Sequence, residues 1–171
     1  MSIAKELAKE AKKKGICKEW HGELKKLGDN KRAMLQMYIK GIDFCLMNDF
    51  PSNEYIRANF KGVMEDFGVF LDDPNLNITN FPKCVALGKT SGMVAITGFN
   101  VCEVFAKHHS SISIEAEDNA FIVVDVFDDA VLTVHARGRA KVCVNRYGGV
   151  VNAKSEDGAM VKVVEKHQKT Y

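Results

Sequence analysis

Glu115, Asp125 and His135 carry the groups most able to do chemistry in this 171-residue chain, and they stand at an even spacing of ten. A carboxyl that protonates a leaving oxygen, beside a carboxylate that activates water or carbon, is the pairing that cleaves glycosidic bonds. An imidazole adds a group that changes charge near neutral pH. The spacing extends to Phe105 on one side and Asn145 on the other. A second set lies two residues further on: Lys107, Glu117, Phe127, Arg137 and Tyr147. Polar and aromatic side chains repeated in this way can line a groove for a sugar. They equally make a solvated sheet face, where each ion pair contributes about 0–1 kcal/mol.

No motif fixes an acid–base pair here, so the expectation is no catalytic residue and no cofactor. The candidate ligand or partner surface comprises Phe105, Glu115, Asp125, Phe127, His135, Arg137, Asn145 and Tyr147. His108-His109, in a turn beside Ser110-Ser111, is a weaker metal candidate, because adjacent turn histidines are usually just exposed, and no metal site is expected. The chain has no GxxxxGK[ST] phosphate loop, no G-x-G-x-x-G dinucleotide turn and no G-x-S-x-G elbow.

The spacing of ten belongs to a repeat that runs from Asn100 to Gly149. Written in tens, the third column holds Cys102, Ile112, Ile122, Leu132 and Val142, and the fifth holds Val104, Ile114, Val124, Val134 and Val144. The seventh holds Ala106, Ala116, Val126, Ala136 and Arg146. Apolar residues at every second position fit a half-buried strand, and self-similarity at a fixed period marks units that stack on copies of themselves. Ten residues supply one strand and one corner but cannot close a full coil. Two decads per coil are therefore expected, with three as the alternative. An antiparallel meander with equal hairpins explains the spacing but not the matching identities within each column. The corners repeat Ser110, Ala120, Ala130 and Ala140 after turn-forming residues, as a crowded bend requires.

At two decads per coil, residues twenty apart stack. Glu115 then neighbours His135 and Glu117 neighbours Arg137, while the opposite face carries Phe105, Asp125, Asn145, Phe127 and Tyr147. Upstream, Cys84 to Leu87 reads as an irregular rung, and Val94 and Ile96 as a second, two residues out of register. Beyond Gly149 the columns are expected to fail, because Asn152 and Lys154 fall on inward positions. Arg146 is expected to help end the stack, and Met160 to Val164 offers one more strand.

The front of the chain reads differently. Helices are expected over 2–14, over about 17–27, from Asp29 or Asn30 to about Met47, and onward from Pro51-Ser52, each with an apolar stripe at helical spacing. The resulting fold class is α+β: a helical unit over 1–67, a parallel β-solenoid over 68–164, and a tail over 165–171.

Charge excludes little. Residues 1–60 carry twelve basic against eight acidic residues, and residues 61–119 carry four against eight, for a chain total of +2. The helical unit is only mildly basic, and Asn53 to Arg57 after a tight turn is a poor recognition-helix signal. Nucleic acid is therefore the weaker partner reading. Five scattered cysteines without a Cys-x-x-Cys pair suggest reduced thiols rather than a disulfide framework. No apolar run approaches the roughly 18 residues of a membrane span.

The stretches MYIKGIDFCLMNDFPSNEYIRANFKG, Met37 to Gly62, and AKVCVNRYGGVV, Ala140 to Val151, resemble a family of small uncharacterised proteins of prophages and mobile elements of gut anaerobes. The resemblance transfers no catalytic or binding residue. It implies an accessory protein, in the cytoplasm or the virion, that acts through protein contacts. A homo-oligomer, dimer or trimer, is expected, because Phe127 and Tyr147, pointing outward, give a monomer an exposed aromatic face. The alternatives are a carbohydrate-binding or carbohydrate-cleaving solenoid and a DNA-binding protein that uses its helices.

Overall fold

The computed structural model describes all 171 residues, Met1–Tyr171. The chain divides into two compact units, residues 1–67 with Tyr171, and residues 68–170.

The first unit is helical: α1 (Ile3–Lys13), α2 (Lys18–Lys26), α3 (Lys31–Lys40), α4 (Ile42–Met47), α5 (Asn53–Asn59) and a single 3-10 turn (Met64–Phe67). The Asn30 side chain caps α3 by accepting from the Ala33 N–H, and Ser52 caps α5 by accepting from the Tyr55 N–H. Asp29 takes a different donor, the Ile3 N–H, 2.8 Å away. The segment expected as one helix from Asn30 to Met47 is broken at Gly41. A β-carbon there would lie 3.0 Å from the Trp20 ring, so glycine is what lets the indole pack against the backbone. The buried face comprises Leu7, Ala11, Leu24, Leu35, Leu46, Ile56 and Phe60, among others. No helix is long and apolar enough to cross a membrane.

The second unit is a β-solenoid of about five turns. Its strands are β1 (Val69–Leu71), β2 (Leu76–Thr79), β3 (Lys83–Leu87), β4 (Ser91–Ile96), β5 (Val101–Ala106), β6 (Ser111–Ala116), β7 (Phe121–Val126), β8 (Val131–Ala136), β9 (Lys141–Arg146), β10 (Val150–Ser155) and β11 (Met160–Glu165). Odd strands form one sheet in the order β1-β3-β5-β7-β9-β11, and even strands form the other in the order β10-β8-β6-β4-β2. Every pairing is parallel, with two decads per coil: Ile122 sits beside Val142 and Ile112 beside Leu132. Alternation puts columns three, five and seven between the sheets. Cys102, Ile122, Leu132, Val104, Val124 and Val144 are all 0 % exposed. Each such Ile, Leu or Val side chain contributes about 1.5–3 kcal/mol.

Two register expectations are corrected. Val94 and Ile96 are in strict register, beside Ile114 and Ala116. What hides this in the sequence is Gly92, which occupies the inward position beside Ile112. Its φ is +154, and a β-carbon would sit 1.9 Å from the Leu76 carbonyl oxygen, so no other residue fits. Nor do the columns fail after Gly149. The corner there is one residue shorter, and Val150 pairs with Val131. Val151 and Ala153 thereby become inward, and Asn152 and Lys154 point out. In β11, Val161 and Val163 continue the columns beside Val142 and Val144. Arg146 does not end the stack. Its neighbour is Glu165, whose two carboxylate oxygens lie 3.0 Å from Arg146 Nη1, while Nε and Nη2 donate to the Gly149 carbonyl at 2.9 and 2.7 Å.

The corners hold a second ladder. Positive φ recurs at Gly88, Gly98, His108, Asp118, Asp128, Gly138 and Asp157, a conformation that Gly, Asp and His tolerate better than most residues. Where this residue has an acceptor, its side chain takes the N–H of the equivalent residue one coil earlier. Asp118 accepts from Gly98 at 2.9 Å, Asp128 from His108 at 3.1 Å, Asp157 from Gly138 at 3.2 Å, and His108 Nδ1 from Gly88 at 3.0 Å. The small corner residues Ala120, Ala130 and Ala140 are buried, as a crowded bend demands.

Candidate functional site

The register places Glu115 and His135 on one sheet and Phe105, Asp125 and Asn145 on the other. Phe127, Arg137 and Tyr147 stand in the corners just after β7, β8 and β9. On the outer face of the even sheet, Glu115 and His135 are direct neighbours, and Lys154 follows His135. His135 Nδ1 lies 3.3 Å from Glu115 Oε2, and His135 Nε2 lies 3.1 Å from Glu156 Oε2. Arg137 Nη2 reaches Glu115 at 3.2 Å and Glu117 at 3.4 Å, and Lys154 reaches Glu156 at 3.1 Å.

The titrations follow this geometry. The Glu115 carboxylate raises the Arg137 guanidinium further, and Lys154 with His135 holds the Glu156 carboxyl below the usual range. Each carboxylate in the group is therefore engaged with a neighbouring cation. Glu156 is absent from the sequence-derived set because the short corner before β10 shifts its register by one.

Asp125 is on the other sheet, between Phe105 and Asn145. It does not join Glu115 and His135 in an acid–base group. Its carboxylate is 9 % exposed and accepts from Asn145 Nδ2 at 2.8 Å. The aromatic column brings rings and cations together. Phe127 and Tyr147 stack with ring centroids 4.7 Å apart and planes at 15°. Lys107 Nζ lies 5.4 Å from the Phe127 centroid, and Lys166 Nζ lies 5.8 Å from that of Tyr147, so cations flank the two rings on successive coils. Burial and the nearby Asp125 carboxylate push the Tyr147 hydroxyl up. Phe105 is 5 % and Phe127 0 % exposed in the folded chain. Of the outward aromatic face inferred from the repeat, Phe105 and Phe127 are thus buried and Tyr147 is half-buried.

The adjacent histidines separate. His108 uses Nδ1 as a corner acceptor, whereas His109 stays exposed, with Nδ1 3.7 Å from Asp129. No cluster of three metal-ligating side chains forms. Burial raises the Cys45 and Cys102 thiols to about 12 and pushes Cys84 up strongly.

The exposed apolar residues of the solenoid lie elsewhere. Phe99 is 86 %, Val101 57 % and Phe121 43 % exposed. Val101 and Phe121 are neighbours in register, and Phe99 stands at the corner just before β5. The signal was present in the sequence, as apolar residues in a column that the alternation turns outward. No protein-family model, curated protein or solved structure matches the chain.

Proposed function

We propose that this chain is a non-catalytic interaction module, an accessory protein of a phage or mobile element that acts through protein contacts and self-associates. It would work in the cytoplasm or in the virion. The observation that supports the reading most is the ridge of Val101 and Phe121, paired in register on a parallel sheet, with Phe99 at the corner before β5, all three exposed to water. Leaving such a group exposed is unfavourable unless a partner covers it. The charged residues add support: Glu115 and Glu117 pair with Arg137, and Glu156 pairs with Lys154, within the chain.

A photo-crosslinking side chain at Phe121, used in cells producing the full chain, tests the proposal. A discrete protein adduct is expected, lost on Phe99→Asp and absent when the crosslinker replaces Thr133 on the other sheet. Turnover of a polysaccharide that disappears with Glu115→Gln would refute the reading and favour a carbohydrate-acting solenoid.

A further inference from the structure

The two ends of the solenoid differ. At the start, the sheet edges are β1 and β2, only three and four residues long. At the finish they are β10 and β11, both six residues long, and both largely exposed. Met160 is 60 %, Val150 52 % and Val163 40 % exposed.

Hydrogen bonding shows which peptide groups are used. Val150 and Glu156 donate their N–H groups to Ala130 and Ala136, and Met160 and Lys166 donate theirs to Ala140 and Arg146. In a parallel pair, alternate residues turn their peptide groups the other way. The outward-turned groups therefore belong to Val151, Ala153 and Ser155 on one edge, and to Val161, Val163 and Glu165 on the other. These are also the inward columns, so the end presents two rows of peptide donors and acceptors around the open end of the core.

We infer that this end is the self-association surface of the chain, and that its occupant is the same end of a second copy. The inference rests on the self-association proposed above and supplies its site. A single added strand satisfies one edge only. A partner must carry two full-length edges at the spacing of two packed sheets, about 10 Å. The opposite end of this chain cannot do so, because its strands of three and four residues are too short to match six. The matching end of a second copy can. A two-fold axis normal to the sheets, passing near Ala153 and Val163, pairs each edge with its own copy in antiparallel fashion and keeps inward side chains inward.

Charge permits this pairing. Centred on Val163, Lys162 of one copy faces Val164 of the other, and Met160 faces Lys166. Centred on Ala153, Lys154 faces Asn152, and Val150 faces Glu156. No like charges stand directly opposite, and Val151, Val161 and Val163 of both copies close one continuous core. The contact is isologous, so it stops at a dimer.

Sedimentation of the full chain over a range of micromolar concentrations tests this. A species of twice 19.0 kDa is expected. Ala153→Pro removes an N–H that only the partner needs, at an edge position where proline is tolerated. It should raise the dissociation constant on the order of 100-fold, since each dimer loses two donors. Val163→Arg, half-exposed in the single chain, should do the same, with circular dichroism and melting of the monomer unchanged. If Ala153→Pro disturbs the fold, Val163→Arg alone decides. A dimer that survives both variants but dissociates on Phe121→Asp would overturn the end-on contact and leave self-association standing. A 19.0 kDa monomer throughout would overturn both, yet leave the Phe99–Phe121 ridge to its own crosslinking test. Growth beyond the dimer would show head-to-tail stacking and overturn the proposal.

Discussion

Asp128 makes two contacts at once, which makes its replacement informative. Its Oδ2 accepts the His108 N–H at 3.1 Å and lies 3.1 Å from the Lys107 ammonium. The Lys107 side chain is only 6 % exposed, whereas that of Asp128 is 39 % exposed. Breaking a buried ion pair from one side costs about 3–5 kcal/mol. The partial exposure of Asp128 lets water reach the cation, which reduces this to about 2 kcal/mol. The lost corner hydrogen bond adds about 1 kcal/mol, and an alanine held at the φ of +55 adds about 1 kcal/mol more.

Asp128→Ala should therefore cost about 4 kcal/mol and lower the melting temperature by about 8–16 °C for a chain of this length. Asp128→Asn separates the contributions. It keeps the acceptor and the tolerance of positive φ, and should cost only the charge portion, about 2 kcal/mol. In a Lys107→Met background the same Asp128→Asn change should cost almost nothing. Chemical denaturation of the four proteins gives the coupling energy directly. A coupling below about 0.5 kcal/mol, or an Asp128→Asn protein as stable as the parent, would refute the account of Lys107 as a buried cation held by its corner.

Two further outcomes are expected. Gly92→Ala should strip amide-exchange protection from β2 and β4, because its β-carbon meets the Leu76 carbonyl at 1.9 Å, whereas Gly15→Ala, with φ +88 and nothing within 4 Å, should cost only about 1 kcal/mol. Of the five thiols, a disulfide reagent at pH 8 should modify exposed Cys17 fast and half-buried Cys143 slowly. Cys45, Cys84 and Cys102 should react only after unfolding, since burial holds them protonated.

The solenoid was legible because its inward columns repeat a physical requirement: every Ile, Leu or Val in columns three and five must face the core. Legibility stopped where that requirement is met without an apolar side chain. Gly92 fills an inward position by being absent from it, so the rung at Val94 looked displaced. The corner after Arg146 is one residue short, and a slip of one exchanges inward for outward residues in any fixed-period reading. Asn152 and Lys154 then looked buried, and Glu156 was overlooked.

The pairing of Glu115 with His135 and of Glu117 with Arg137 followed from the coil length alone. The burial of Phe105 and Phe127 did not, because a repeat assigns side chains to a face without stating whether water reaches that face. The helical unit shows a similar limit at Gly41. The apolar stripe of α3 and α4 continues across the break, and only the Trp20 ring packed against it reveals why the helix ends.

Alternate decads belonging to different sheets restrict how this chain can change in length. An extra ten residues inserted between Asn119 and Ala120 would move every later strand to the opposite sheet. Lys107 would part from Phe127, His108 from Asp128, and Phe105 from Asp125, although each decad by itself would still be a sound strand and corner. An insertion of twenty also places a new coil between these pairs, yet it keeps every later strand on its original sheet and so preserves all the other neighbours. The heritable unit of growth is the pair, and functional relatives of this solenoid should differ in length by whole coils, with single-residue changes confined to corners such as Tyr147–Gly149.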